Sequence, residues 1–159
     1  MGGSYFQHEG AAVDYLCMPE NPDFNYKYKD GVSTYRGYVF GAEYESQDND
    51  VDIDQTYLDK DVPCAVCRII GSTSILMIPG KTKCENSWSE QYSGYLMSGR
   101  YLHKAASQYI CVDKDAEVIP GSSTPTDGVL VYPVEVRCGS LKCPPYSEGR
   151  ELACVVCSK

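Results

Sequence analysis

Two pairs of cysteines have the C-x-x-C spacing that occurs in zinc centres and in redox-active dithiols. Cys64 and Cys67 form the first pair, and Cys154 and Cys157 form the second pair near the end of the chain. The pairs are farther apart than in a local zinc ribbon, although two duplicated halves could bring them together as a zinc centre with four cysteine ligands. Nine cysteines in 159 residues are typical of structural disulfides in an oxidising compartment. We therefore predict disulfides, with zinc binding as the alternative.

All nine cysteines are predicted to form disulfides: Cys17, Cys64, Cys67, Cys84, Cys111, Cys138, Cys143, Cys154 and Cys157. In an extended strand, residues i and i+3 face opposite sides, so each C-x-x-C pair reaches two partner segments. The sequence does not determine the connectivity. We expect Cys17 to bond to the first pair, whereas Cys84 and Cys111 bond to the second. Cys138 is expected to close locally with Cys143.

The number of cysteines is odd, so one of them has no partner within the chain. An unpaired cysteine in a secreted protein suggests a bond to another chain. We expect a tenth cysteine from a separate N-terminal chain or segment.

Four aspartates alternate with other residues in one acidic stretch: Asp48, Asp50, Asp52 and Asp54. Closely spaced carboxylates are the oxygen ligands that calcium prefers. The stretch is not an EF-hand loop, because Ile53 stands where that loop needs a glycine. We predict a solvated acidic loop, with calcium binding as the alternative and no other cofactor.

A tyrosine and a histidine occur together in two similar strings, Tyr5 with His8 and Tyr101 with His103. Tyrosine suits binding interfaces as well as half-buried strand positions. No nucleophile motif accompanies either histidine, so we expect the two imidazoles to make structural hydrogen bonds. If the protein binds sugars, we expect these two loops to be the binding sites.

Glu43 and Glu135 occupy matching places in the sequence and could pair as the carboxylates of a glycosidase do. Glutamates on strands are more often ordinary polar positions. The chain also has no phosphate loop and no dinucleotide-binding fingerprint. We therefore expect no enzymatic activity.

The strings that hold these residues recur in the same order along the chain, at similar offsets. The offset is 94 from Cys17 to Cys111, 92 from Glu43 to Glu135, and 90 from Cys64 to Cys154. A repeated order at a nearly constant offset indicates an internal duplication.

We predict one domain built from two duplicated halves, residues 1–70 and 71–159. By the same offset, the counterpart of residues 77–97 would begin before Met1, so the first half is N-terminally incomplete. Many short apolar segments separated by Gly, Pro, Asn and Asp predict an all-β or β-dominated fold.

The composition disfavours several classes of partner. A formal charge of −8 and a pI near 4.7 disfavour nucleic acid and anionic membranes, which select basic surfaces. No apolar run approaches the roughly 20 residues of a membrane-spanning helix, so we expect no membrane insertion. The cysteine content predicts a secreted protein, yet the first residues lack a secretory signal. We therefore expect that Met1 is not the start of the complete precursor.

Seven strings together resemble the cysteine-rich, non-collagenous C-terminal domain of sponge short-chain (spongin-type) collagens and related secreted proteins of marine invertebrates. They are residues 10–20, 41–45, 61–67, 76–82, 92–97, 138–146 and 149–157. The chain lacks a Gly-x-y collagen tract. Its first residue corresponds to a position within the family's domain, after an earlier segment that carries one more cysteine. The resemblance implies an extracellular location and no enzymatic activity.

We therefore predict a secreted, non-enzymatic module for extracellular-matrix assembly or adhesion. Its expected partners are other extracellular proteins or glycans, and we expect it to form an oligomer. The alternative function is a carbohydrate-binding lectin with two related sites.

Overall fold

The computed structural model describes residues 1–24, 30–46, 54–122 and 126–159. Within these ranges the protein is strand-dominated and has no α-helix, as the sequence predicts. A short 3-10 turn spans Gln55–Tyr57. The strands are β1 (Gly2–Gly3), β2 (Phe40–Tyr44), β3 (Ile75–Pro79), β4 (Ser89–Ser98), β5 (Ile110–Asp113), β6 (Val129–Pro133) and β7 (Ala153–Ser158).

The strands form one sheet in the order β1-β2-β6-β4-β7-β3, with β5 added to β4. The sheet curls into a half-barrel. β2 and β6 run parallel, whereas the other strand pairs are antiparallel. Because β2 belongs to the first predicted half and β6 to the second, this parallel pair joins the two halves.

The hydrophobic core includes residues of β2, β4, β5 and β6. Its buried members are Ala42, Tyr44, Val62, Met97, Val112, Val129 and Val131. Gly128 permits the close approach of β2 to β6, because a Cβ atom at that position would lie 2.0 Å from the carbonyl oxygen of Gly41. Burial of each aliphatic side chain stabilises the fold by about 1.5–3 kcal/mol.

β7 lies between β4 and β3 and is buried on both faces. Cys154, Val155 and Cys157 are all 0% exposed. A short, continuous apolar run is typical of a strand covered on both faces. The second C-x-x-C pair therefore lies in an interior strand.

Four disulfides are present: Cys17–Cys64, Cys84–Cys157, Cys111–Cys154 and Cys138–Cys143. These pairs are the ones expected from the sequence, and each cysteine of the second C-x-x-C pair reaches a different segment. Eight of the nine cysteines are thus paired within the chain, and the expected bond of the ninth to a separate chain or segment stays a prediction. Cys67 is free and exposed, because no described strand brings a cysteine beside it. Since the other three cysteines of the two C-x-x-C pairs are in disulfides, the suggested zinc centre does not form.

Candidate functional site

Tyr5 and His8 lie together in an aromatic cluster beside β2. Their ring centroids are 5.1 Å apart, and that of Phe40 lies 5.2 Å from Tyr5 and 5.6 Å from His8. Tilted and edge-on ring pairs of this kind each contribute about 0.5–1.5 kcal/mol beyond their buried area. The two residues therefore contribute to packing in the first half.

Tyr101 and His103 point into different surroundings. The Tyr101 side chain is 89% exposed. The His103 ring packs inward, 4.7 Å from the ring of Phe6 and 5.5 Å from that of Tyr132. Its Nδ1 atom is buried and has no hydrogen-bond partner among the described residues, so the expected structural hydrogen bond is absent at this atom. Burial, with the nearby charge of Arg100, lowers the pKa of His103.

Tyr101 lines an open groove of about 750 Å³, which we call the tyrosine groove. Its walls combine tyrosine rings with charged side chains, including Arg100, Tyr101, Tyr109, Tyr132, Glu135 and Arg137. Tyr109, like Tyr101, presents most of its side chain to solvent. Ligand clefts in proteins commonly have this volume and this mixture of aromatic and polar groups. The groove can therefore accept a small polar ligand that has apolar faces.

The charges around the tyrosine groove are partly paired. Arg137 donates from Nε to Oε1 of Glu148 at 3.0 Å. Arg100 forms no ion pair with any residue of the described ranges. Burial raises the pKa of Tyr132, the charge of Glu45 adds to this shift, and Arg100 opposes it. Tyr132 is therefore a neutral hydrogen-bonding group at physiological pH.

Carboxylates gather at the end of β2. Glu43 is only 2% exposed, and its Oε1 accepts a hydrogen bond from Thr126 Oγ1 at 2.7 Å. Its Oε2 has no hydrogen-bond partner among the described residues. Glu43 is thus buried whereas Glu135 is exposed, so the two glutamates occupy different environments.

The pKa of Glu45 is raised to about 7. The largest cause is burial, followed by a hydrogen bond and charge repulsion from Asp59. The charges of Asp127 and Glu43 add to the shift. Glu45 is therefore a carboxyl group that titrates near neutral pH.

Three of the four aspartates of the calcium candidate, Asp48, Asp50 and Asp52, lie outside the described residues. Asp54 is exposed, and its Oδ1 accepts a hydrogen bond from the backbone nitrogen of Thr56 at 2.9 Å. Hydrogen bonds from Thr56 lower the pKa of Asp54. In the part of the chain that the structure describes, no group of three or more His, Cys, Asp or Glu side chains is arranged to hold a metal ion.

The first C-x-x-C pair lies in an exposed segment outside the described strands, in contrast to the second pair. Residues 64–67 are all exposed, and Val66 is 87% exposed. Residues 63–68 form no backbone hydrogen bonds with other described residues. Met18, next to the Cys17–Cys64 disulfide, is 50% exposed. We call residues 64–67 and Met18 the uncovered edge.

Nothing in the sequence singles out Arg100, Tyr109, Tyr132 or Arg137 as groove residues. They lie on separate segments that meet only when β6 pairs with β4. The one available signal was the high tyrosine content, 14 residues, which does not distinguish packed rings from exposed ones.

Among the described residues, no helix has the length and apolar character needed to cross a membrane. No protein-family model matches the chain. No solved structure matches it either. The resemblance to the sponge collagen domain therefore stays a prediction.

Proposed function

We propose that the protein is a secreted, non-enzymatic module that assembles with other proteins of the extracellular matrix. Four disulfides support an oxidising compartment. The observation that carries the proposal is the uncovered edge, because Val66 and Met18 present apolar surface to solvent beside unpaired backbone. Exposed apolar side chains beside unpaired backbone are a typical feature of protein interaction sites. The resemblance to a matrix domain supports the same function.

The proposal includes the internal duplication, for which recurring backbone contacts give support. Three hydrogen bonds of the first half have counterparts 90–92 residues later. The bond from Val62 N to Ala42 O corresponds to the bond from Leu152 N to Val134 O. The bond from Tyr44 N to Lys60 O corresponds to the bond from Val136 N to Arg150 O. The bond from Asp59 N to Tyr44 O corresponds to the bond from Gly149 N to Val136 O. The bridge between Glu43 and Asp61 likewise has its counterpart between Glu135 and Glu151. We infer that the two halves are copies of one unit.

The assembly function is tested by secreting the protein from cultured animal cells behind a signal peptide. The fraction retained in the deposited, detergent-insoluble matrix is compared for three forms: wild type, Val66→Glu and Val32→Glu. Val32 is as exposed as Val66 but lies outside the uncovered edge, so it is the matched control. We expect Val66→Glu alone to lower matrix retention. A wild-type protein that stays entirely in the medium, or equal retention of all three forms, contradicts the proposal.

Glycan binding at the tyrosine groove is the second candidate function. Two exposed rings, Tyr101 and Tyr109, flank charged groups that can hydrogen-bond to hydroxyls. A glycan array tests it with wild type, Tyr101→Ala and the control Tyr35→Ala, whose ring is also exposed but lies outside the groove. A lectin is supported if wild type and Tyr35→Ala bind a glycan, free sugar competes with this binding, and Tyr101→Ala does not bind. A blank array contradicts it.

A further inference from the structure

The floor of the tyrosine groove is a small residue between two tyrosine rings. Ser98 of β4 lies opposite Tyr132 of β6. Along its other edge β4 pairs with β5, where Met97 lies opposite Ile110, and the same register continued by one residue places Tyr109 beside Ser98. Residues that lie opposite each other on antiparallel strands project from the same face of the sheet. The short Ser98 side chain therefore leaves a space between the rings of Tyr109 and Tyr132, and all three residues line the groove.

The charged residues of the groove are divided between its two ends. β4 and β6 are antiparallel, so the chain that follows Ser98 and the chain that follows Pro133 leave the paired region in opposite directions. The backbone of Arg100 is thus at one end of the groove, whereas that of Glu135 is at the other. The groove therefore has a cationic end and an acidic end, with the tyrosine rings between them.

At the acidic end, carboxylates outnumber the single guanidinium. Glu135 and Glu151 face each other across an isolated bridge, and both are exposed. Arg137 lies two residues beyond Glu135, but its Nε already donates to Oε1 of Glu148 at 3.0 Å. An acidic group of a ligand is repelled at this end, whereas hydroxyl groups can donate hydrogen bonds to the carboxylates of Glu135 and Glu151.

At the cationic end, Arg100 is half-buried and forms no ion pair with any residue of the described ranges. Burial is the main cause of the raised pKa of Tyr132 and of the lowered pKa of His103, and the charge of Arg100 acts on both groups. The guanidinium therefore lies near these two rings, whose centroids are 5.5 Å apart. Hydrogen bonds between ionised groups are roughly twice as strong as neutral ones. A half-buried guanidinium without a carboxylate partner is thus suited to an anionic group of a ligand.

We propose that the tyrosine groove binds a glycan that carries a carboxylated sugar, with the carboxylate held by Arg100 and the sugar ring packed against the exposed rings of Tyr101 and Tyr109. The inference rests on glycan binding, the second candidate function, and names its ligand class. The planar guanidinium presents two parallel N–H groups that match the two oxygens of a carboxylate. Hydroxyl groups farther along the glycan then reach Glu135 and Glu151 at the acidic end.

The test uses an array of uronic-acid and sialic-acid glycans, each paired with a counterpart whose carboxyl group is converted to the neutral amide. The amide keeps the sugar ring, the linkage and nearly the same size, so the two members of a pair differ chiefly in charge. Titration of the pair that responds most strongly then gives two dissociation constants. We expect wild type to bind the acidic glycan at least about tenfold more tightly than its amide. Added salt should reduce this preference, because Arg100 is only half-buried.

Protein variants locate the carboxylate. Arg100→Gln should bind the acidic glycan and its amide with equal affinity. The control Arg36→Gln removes an exposed arginine that lies outside the groove, so it should keep the preference of wild type. Arg100→Lys keeps the charge but lacks the planar fork, so its preference should fall between those of wild type and Arg100→Gln.

Two further measurements separate lost binding from lost folding. The urea midpoints of the Arg100 variants should equal that of wild type, because Arg100 forms no ion pair with described residues. In wild type, the NMR resonance of the Arg100 Nε–H group should shift when the acidic glycan is added and stay in place when its amide is added. The second measurement needs no variant, so it decides the proposal even if a substitution disturbs the fold.

The proposal is overturned if wild type binds each acidic glycan and its amide equally, if Arg100→Gln keeps the preference, or if sulfated glycans bind more tightly than carboxylated ones. Acetate should not displace the glycan. If acetate displaces it as well as the free acidic sugar does, the groove binds simple anions and the proposal is wrong. If wild type binds neutral glycans that Tyr101→Ala loses, yet shows no preference for acidic ones, the ligand class is wrong and glycan binding stands. A blank array contradicts both.

Discussion

Replacing Glu45 with glutamine should stabilise the protein at about pH 8 and leave its stability at about pH 4.5 unchanged. The folded pKa of this carboxyl group is about 7, against an ordinary value of 4.5. Between these two values the folded state holds a proton that the unfolded chain releases. The stabilising contribution of protonation is thus fully present below pH 4.5 and is lost as the pH rises through about 7. Glutamine keeps the neutral form at every pH.

The size of the effect follows from the shift. Each pKa unit corresponds to about 1.4 kcal/mol, which gives an upper limit of roughly 3.4 kcal/mol for the shift of Glu45. The Glu45 carboxyl is partly exposed to solvent, and solvent screening weakens such interactions. We therefore expect Glu45→Gln to raise the free energy of unfolding by about 1–2 kcal/mol at about pH 8.

The assay is urea unfolding with the disulfides intact, followed by the fluorescence of the single tryptophan, Trp88, across this pH range. Glu90→Gln is the control, because Glu90 is an exposed glutamate on β4. We expect the control to keep the pH dependence of wild type, whereas Glu45→Gln flattens it between about 4.5 and 7. If the slope of stability against pH is the same in wild type and Glu45→Gln, the raised pKa does not belong to Glu45 and the reasoning is wrong.

Three further predictions concern the fold. Gly128→Ala should lower the free energy of unfolding by more than about 3 kcal/mol, because the alanine Cβ would lie 2.0 Å from the carbonyl oxygen of Gly41. Thermal or urea unfolding measures this loss, and a loss below about 1 kcal/mol would contradict the close approach of β2 to β6. Replacing both Cys84 and Cys157 with serine opens a loop of sequence separation 73 and should cost roughly 4 kcal/mol or more, and an unchanged urea midpoint would count against this disulfide. His103→Phe should remove the loss of stability that protonation of His103 causes in wild type as the pH falls below 6.5, because the lowered pKa of His103 means that the fold favours the neutral ring. If the stability of the two proteins falls equally below pH 6.5, another group causes that loss.

The strand-dominated fold, the separate partners of Cys154 and Cys157, and the Cys138–Cys143 bridge were predictable because they depend on local spacing. The C-x-x-C spacing in an extended strand requires that Cys154 and Cys157 face opposite sides, and they do bond to different segments. The separation of five residues between Cys138 and Cys143 allows a local bridge across a turn. In each case, the geometry is set by a few neighbouring residues, and a single sequence contains that information.

The tyrosine groove and the raised pKa of Glu45 depend instead on how distant segments meet. Glu45 titrates near neutral pH because it is partly buried and because Asp59 and Asp127, from later segments of the chain, lie beside it. His103 packs against Phe6 of the first half, so two loops with similar sequences have different neighbours. A tyrosine–histidine string therefore predicts a loop but not which of its rings faces solvent.

The two C-x-x-C strings show that burial is a property of the neighbours as much as of the sequence. Ala65-Val66 and Val155-Val156 are similarly apolar, yet the first pair is exposed and the second lies in an interior strand. The difference is the presence of β3 and β4 on either side of β7. An exposed apolar segment with unpaired backbone favours uncontrolled association unless something covers it. The free thiol of Cys67 lies in that exposed segment, whereas the matching Cys157 of the second string is buried and bonded to Cys84.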